Sequence, residues 1–353
     1  MKINFMLPSI VKTPSGGIKV IYNYANELSI LGHNIVIISP KREGNKLFDF
    51  IKSLIKKIRD FYDKVENTSY YSVLNNVKYL EIPTPNKKYI PNADIIIATG
   101  WQTADWINQL PRSKGTKFYF IQGKETWLGG HNKVMNTWRM PLKKIVISNW
   151  LKEAVMKIDD NVLGPVSNTI DNNEFFITKE IKKRPNQITM LYHRASVKRG
   201  KDGIKVFKEI RKKNKNIKFL IFTARKPLLK IPKWITIEIR PTINKLREIY
   251  NSTSIFIHTS SSEGWGLSPA ESMMCGCAVV ATSNLGIKEY IKHRQTGLLS
   301  PIGDISSLIH NVQYLIDNNE IRIALAEKGN KQIKLFSLEN NTKKLEKIII
   351  NNS

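Results

Sequence analysis

Apolar residues fall along this chain in short blocks, each followed by a loop that carries glycine and then by a stretch with helical spacing. Lys2–Leu7 reads as a strand, Pro8–Gly17 as a loop with Gly16 and Gly17 at its end, and Ile18–Leu31 as a helix. Asn34–Ser39 reads as a second strand, entered through Gly32-His33, which completes a βαβ unit. Further strands are predicted at Val77–Ile82, Ile95–Thr99, Lys117–Ile121 and Lys144–Ile147. Unbroken apolar runs such as Ile95-Ile96-Ile97-Ala98 fit a parallel sheet buried on both faces, because crossover helices cover both sides of such a sheet.

The composition changes over residues 163–186, where Gly, Pro, Asn and Asp accumulate as in a crossover linker. A second alternation then begins. Strands are predicted at Gln187–Tyr192, Lys218–Thr223, Thr236–Ile239, Ile255–His258 and Ala278–Thr282. Helices are predicted near Lys201–Lys213, Ile243–Tyr250 and Ser268–Cys275, and residues 304–350 read as a charged helical tail broken around Phe336-Ser337. Residues 44–66 stand apart. Leu47, Ile51, Leu54, Ile58 and Phe61 recur every three or four positions with Lys52, Lys56, Lys57 and Arg59 between them, which is an amphipathic basic helix. Its stripe packs on the first sheet, as most such stripes do, or lies on an anionic membrane surface.

At 353 residues the chain is longer than one core usually serves, so two α/β domains are expected. The formal net charge of +27 favours anions without saying which: nucleotide phosphate, anionic lipid or nucleic acid. No aromatic-interleaved basic motif or zinc spacing supports a specific nucleic-acid partner. Cys275 and Cys277 are too few and too close for a disulfide framework, which points to a reduced, cytoplasmic setting. No apolar run approaches the roughly 18 residues of a membrane span, and Met1 leads into a strand without a signal-peptide pattern. Any membrane contact is therefore expected to be peripheral, on the inner face.

The chemistry concentrates between residues 259 and 300. Glu263 and Glu271 bracket a loop containing Gly264 and Gly266 and the first turn of a helix, where an open α/β sheet holds a nucleotide. A sugar nucleotide needs cations or backbone N–H groups for its diphosphate, a carboxylate for its ribose diol and polar groups for its sugar. Glu271 suits the diol and Glu263 the sugar side, while the Leu267 and Ser268 amides open toward a phosphate at the helix N-terminus. Pro269 suits an early helix turn. No acidic pair that would hold a catalytic metal stands near a strand end, so transfer is expected to be metal-independent and free of a bound cofactor.

With these motifs the chain resembles the retaining glycosyltransferases of the GT-B fold, in particular glycosyltransferase family 4. Glu263 and Glu271 meet the family's Glu-x7-Glu motif, and the resemblance extends to Gly16-Gly17, Gly32-His33-Asn34-Ile35, residues 146–150 and Ser167-Asn168-Thr169-Ile170-Asp171. It implies an α/β GT-B architecture of two Rossmann-like, doubly wound domains facing a cleft. Residues 1–165 would bind the acceptor, 166–335 the nucleotide sugar, and 336–353 would form a C-terminal helix packing back on the first domain. Arg194, with Lys198 or Arg199, resembles the Arg and Lys that grip the donor diphosphate, although Arg199-Gly200 stands where the family usually has Lys-Gly. Glu263 would contact the sugar and Glu271 the ribose. In the first domain Gln122 or Glu125 occupies the place of a histidine that many members carry, His131 reads as incidental, and Trp101 and Gln102 either line the acceptor groove or merely pack.

The function implied is retaining transfer of a sugar from a nucleoside diphosphate donor, UDP being the commonest, to a hydroxyl of a glycan or glycolipid in surface polysaccharide synthesis. The alternatives are a sugar-nucleotide 2-epimerase or phosphorylase on the same fold, and a non-enzymatic polyanion-binding protein motivated by charge alone.

Overall fold

The computed structural model describes residues 1–9, 15–41, 73–74, 76–126 and 130–353. The basic stripe of residues 44–66 therefore lies outside the described residues. The chain divides into two compact units, one of Met1–Ser167 with Glu339–Ser353, the other of Asn168–Leu338.

In the first unit the elements run β1 (Lys2–Met6), α1 (Gly16–Ile30), β2 (Asn34–Pro40), β3 (Val77–Ile82), β4 (Ile95–Ala98), α2 (Trp101–Asn108), β5 (Thr116–Ile121), α3 (His131–Trp138), β6 (Lys143–Val146), α4 (Asn149–Met156) and β7 (Val162–Leu163). The strands form one seven-stranded sheet in the order β3-β2-β1-β4-β5-β6-β7. Every paired neighbour is parallel, with Phe5 opposite Ile37 on one side and Ile97 on the other. The three isoleucines of β4 are wholly buried, each contributing about 2 kcal/mol of apolar burial. On α1, Val20, Ile21, Tyr24, Ala25 and Leu28 form the buried stripe, and Tyr24 donates its hydroxyl proton to the carbonyl of Ser167 at 2.6 Å. The last helix, α10 (Leu338–Asn351), contributes Glu346, which lies 2.8 Å from Nε2 of His33 at the turn before β2. Lys143 at the start of β6 donates to the carbonyl of Asn352.

In the second unit the elements run β8 (Gln187–Leu191), α5 (Gly200–Lys213), β9 (Lys218–Thr223), β10 (Ile235–Ile239), α6 (Ile243–Asn251), β11 (Ile255–His258), α7 (Leu267–Met274), β12 (Ala278–Thr282), β13 (Leu298–Ser300), α8 (Ile305–Asp317) and α9 (Asn319–Ile333). The strand order is β10-β9-β8-β11-β12-β13, again parallel throughout. In both sheets the order reverses direction beside the first strand, between β1 and β4 and between β8 and β11. Such a reversal leaves a crevice at the carboxyl ends of the two strands, since their following segments depart to opposite faces.

Cys275 and Cys277 are free and buried at the junction of α7 and β12. Beside them the buried Arg184 donates to the carbonyls of Tyr250 at 3.3 Å and Thr253 at 3.2 Å, and to that of Cys275. One guanidinium thus ties the end of α6 to the end of α7, the two helices that carry Tyr250 and Glu271. No helix among the described residues is long and apolar enough to cross a membrane.

Candidate functional site

The loops that follow β8 and β11 meet at the reversal point of the second sheet, and short hydroxyl side chains lace them together. Ser261 N–H and Oγ donate to the carbonyl of Val197 at 2.8 and 3.0 Å, and Thr259 Oγ1 donates to the carbonyl of Lys198 at 3.0 Å. The Thr-Ser-Ser-Ser run therefore serves to hold two loops in register. Its consequence is that Lys198 Nζ sits 2.7 Å from both carboxylate oxygens of Glu263.

Glu263 is nearly enclosed. His258, the last residue of β11, places Nε2 3.2 Å from Glu263 Oε1, within ion-pair reach but off the line of a hydrogen bond. Burial alone would push the Glu263 carboxyl up, but His258 and Lys198 more than offset it and hold the group down at about 2. His193 is held below the usual imidazole range by burial and then by Lys198, against the opposing pull of Glu263. Its Nδ1 accepts from Ala195 N–H at 3.0 Å.

Of the three cations expected here, the structure brings Lys198 to Glu263 and turns the others elsewhere. Arg199 adopts a left-handed backbone with φ of 48°, and its Nε donates to Asp202 Oδ2 at 2.6 Å. Arg194, on the loop after β8, donates Nε to the carbonyl of Lys226 at 3.0 Å.

Glu271 lies one turn into α7 and is only 8% exposed. Its Oε2 accepts from the hydroxyl of Tyr250 at 3.0 Å. Burial, and then the Glu271 charge, push the Tyr250 hydroxyl well above the usual phenol range, so it remains a proton donor. Gly266 caps α7 at φ 98°, a left-handed conformation that side chains other than glycine rarely adopt, and no side chain caps the helix start before Leu267 and Ser268. Tyr290 pins this turn by donating to the Gly266 carbonyl at 2.6 Å. Gly286 closes on the same loop from the other side: a Cβ there would lie 2.5 Å from the Glu263 carbonyl oxygen.

The first unit gathers a smaller polar group at the matching reversal point. Gln122, after β5, donates Nε2 to the carbonyl of Gly17 at 3.1 Å and leaves Oε1 buried without a partner. Gly16 and Gly17 form the first turn of α1. Glu125 accepts from Trp101 N–H at 3.1 Å, at the start of α2. Burial, only partly relieved by that bond, pushes the Glu125 carboxyl up to about 7. Gln102 follows Trp101 in α2, and His131 begins α3. Among the described residues no three His, Cys, Asp or Glu side chains form a metal-sized cluster.

Two residues of this region, Tyr250 and Gly286, had no functional sign in the sequence, and His258 had only its place at a strand end. Tyr250 occupies a buried apolar position of α6, His258 alternates as an ordinary strand residue, and Gly286 sits in a loop; each gains its role only through packing. The Lys198–Glu263 contact was equally invisible, since it joins positions 65 apart.

Residues 171–332 match the family described as Glycosyl transferases group 1. A stretch of 100 residues is 31% identical to an uncharacterized glycosyltransferase of Methanocaldococcus jannaschii, and it spans 28% of this chain and 28% of that relative. Similarity of shape extends further. A sucrose-phosphate synthase from Thermosynechococcus elongatus superposes with a TM-score of 0.74 at 13% identity, over 99% of this chain and 98% of that one. Anabaena HepE, in complex with UDP and glucose, superposes with a TM-score of 0.72 at 12% identity, over 99% and 100% of the two chains. At such identities the likeness shows the fold, which is GT-B with two parallel α/β units.

Two pH profiles check the electrostatics. A carboxyl held at about 2 contributes stability that is complete above its ordinary value of 4.5 and is lost as pH falls toward about 2. The stability advantage of the wild type over Glu263→Gln in urea unfolding should be roughly 2 kcal/mol at neutral pH and vanish across that window. Glu125 has the opposite sign, because the folded state keeps a proton that the unfolded chain has released. Relative to Glu125→Gln, the wild type should lose on the order of 2 kcal/mol as pH rises from about 4.5 to about 7, then stay level.

Proposed function

We propose that the chain is a retaining glycosyltransferase that moves a sugar from a nucleoside diphosphate sugar to a hydroxyl of a glycan or glycolipid. The observation that carries this reading is the Lys198–Glu263 contact at the reversal point of the second sheet, one loop away from the buried Glu271–Tyr250 pair. The residues matched to Glycosyl transferases group 1 include all four. HepE, of the same fold, is known with UDP and glucose bound, which favours UDP as the nucleotide.

In this reading Glu271 accepts hydrogen bonds from the ribose diol, and Tyr250 fixes the orientation of its carboxylate. The amides of Leu267 and Ser268, uncapped at the start of α7, receive a phosphate together with the positive end of the helix dipole. Lys198 is the mobile charge. Its side chain is partly exposed while it holds Glu263, so donor binding transfers the ammonium from a carboxylate to a diphosphate while Glu263 turns to the sugar hydroxyls. Arg194 and Arg199 stand on the flanks of the same loop and add to the positive field.

The acceptor hydroxyl oxygen then forms its bond to the anomeric carbon on the face from which the diphosphate departs. The bond from that carbon to the phosphate oxygen breaks, and the departing diphosphate takes the acceptor proton. No pair of acid and base carboxylates is needed for this. Charge developing on the leaving group is met by Lys198, Arg194 and backbone amides in place of a metal ion. Within the first unit, Gln122 holds the Gly17 carbonyl beside Gly16 at the start of α1, and Glu125, pushed up to about 7, keeps its proton in part at neutral pH and can donate to an acceptor oxygen. A role in surface polysaccharide synthesis, at the inner membrane face, follows if residues 44–66 bind anionic lipid.

A panel of UDP-, GDP- and dTDP-sugars tests the reading by thermal shift and turnover. A UDP-sugar should stabilise the wild type and leave Glu271→Ala unmoved. Tyr250→Phe should raise KM about tenfold with kcat nearly unchanged, since it loosens ground-state and transition-state binding alike. Lys198→Met should lower kcat by roughly 100-fold, the scale of removing one preorganised charge at a leaving group. A folded protein that responds to no donor of any base overturns the proposal.

A further inference from the structure

The turn that starts α7 is gripped by residues from two distant parts of the chain, and one of them lies where the chain leaves the second unit. Residues 286–290 supply the first grip. Gly286 packs so closely on the Glu263 carbonyl oxygen that a Cβ there would stand 2.5 Å from it. Four residues on, the Tyr290 hydroxyl donates to the Gly266 carbonyl at 2.6 Å. Burial first, then the charges of Glu263 and Glu271, push that hydroxyl well above the usual phenol range, so it stays a donor in the field of both carboxylates.

Trp265, the residue before Gly266, is 1% exposed, as is Tyr290. Its indole N–H is buried without a partner, so packing rather than a side-chain hydrogen bond fixes the ring. Two rings flank it: Tyr290 at 4.6 Å between centroids, and Phe336 edge-on at 5.4 Å. Phe336 also meets Tyr290 edge-on at 6.4 Å, which closes a triangle. All three spacings lie where aromatic pairs attract beyond their buried area.

Phe336 is the outer member of this triangle. It is half-buried and stands two residues before Leu338, the last residue of the second unit. Its carbonyl accepts from Ile170 N–H at 3.4 Å, and Ser337 bridges Ile170 in parallel. Ile170 lies two residues after Asn168, where that unit begins. The ring therefore links the Gly266 turn to the paired segments by which the chain enters and leaves the second unit.

We infer that Phe336 is a positioning residue of the donor site, holding the Gly266 turn through Trp265 and Tyr290 and coupling the order of that turn to the Ile170–Ser337 pairing. This rests on the reading of the turn as the phosphate-binding helix start. Coupling of this kind is reciprocal, so a ligand that steadies the turn must also steady the pairing. An aliphatic side chain in place of the ring removes one flank of Trp265 and leaves it room to shift.

UDP, GDP and dTDP are first compared by thermal shift on the wild type, and the one that stabilises it serves as the probe. Hydrogen exchange read by mass spectrometry should then slow on nucleotide binding both at the Gly266 turn and at residues 168–171. Phe336→Leu should weaken nucleotide binding about fivefold in calorimetry and lose the slowing at 168–171 while keeping it at the turn. Phe336→Tyr, which keeps the ring, should bind as the wild type does. Slowing at the turn without slowing at 168–171 in the wild type overturns the inference and needs no variant. So does a Phe336→Leu protein that melts at a lower temperature yet binds nucleotide with the wild-type constant, since the ring would then only pack. Either result leaves the donor reading standing, whereas a folded wild type that no nucleotide stabilises removes both.

Discussion

The ion pair between Lys198 and Glu263 is the contact on which the arrangement of the second unit turns. It joins two loops that share no sequence proximity and whose parent strands, β8 and β11, are neighbours only because the sheet reverses its order there. A parallel sheet supplies the strand ends, but it does not supply the loops, which carry backbone groups that must find partners of their own. Val197 and Lys198 provide carbonyls, Thr259, Ser260 and Ser261 provide hydroxyls, and the ammonium-carboxylate contact closes the gap. Remove that contact and a carboxylate remains enclosed with an imidazole poorly aligned to it, a costly state for a side chain so little exposed.

Around that pair the molecule assigns its charges economically in space. The chain is strongly basic, yet its buried cations have individual tasks. Arg184 gathers carbonyls from the ends of two helices, and Lys144, wholly buried, meets Asp159 at 2.6 Å in the first unit. Two carboxyls near the reversal points, Glu263 and Glu125, are poised in opposite senses. Glu263 is kept ionised by His258 and Lys198, whereas Glu125 has only a backbone N–H and retains its proton up to about pH 7. An acid after β11 and an acid after β5 thus present different chemistry, one an anion and the other a group that keeps its proton toward neutral pH.

Much of this was legible in the residues. Ile95-Ile96-Ile97-Ala98 announced a doubly covered strand, and the glycine-rich loop with a glutamate on either side announced a helix start. Strand limits followed the apolar runs to within a residue, as at Lys218–Thr223 and Ala278–Thr282. The short helix α2 was missed because its eight residues open with Trp101 and Gln102, which show too few turns for a period to declare itself. The choice between Lys198 and Arg199 was beyond any spacing rule. What the structure shows is where each side chain rests: the left-handed Arg199 meets Asp202, and Lys198 faces the glutamate. Tyr250 was hidden for a related reason, since a buried polar atom on an apolar face looks like core until its partner is known, and His258 stood out only as a strand end, without its partner Glu263.

The return of the last helix to the first unit makes the second unit an insertion rather than a sequel. Residues 168–338 form one continuous segment, while the first unit is assembled from both ends of the chain. During synthesis, then, the first 167 residues emerge without Glu346 beside His33 and without the Asn352 carbonyl that Lys143 reaches. The inserted unit can complete its sheet from one continuous stretch of chain, and the host must wait for residues 339–353. Fragments follow the same logic: the natural piece to express by itself is the middle of the chain, and a permuted protein opened between Ser167 and Asn168 would keep every strand intact.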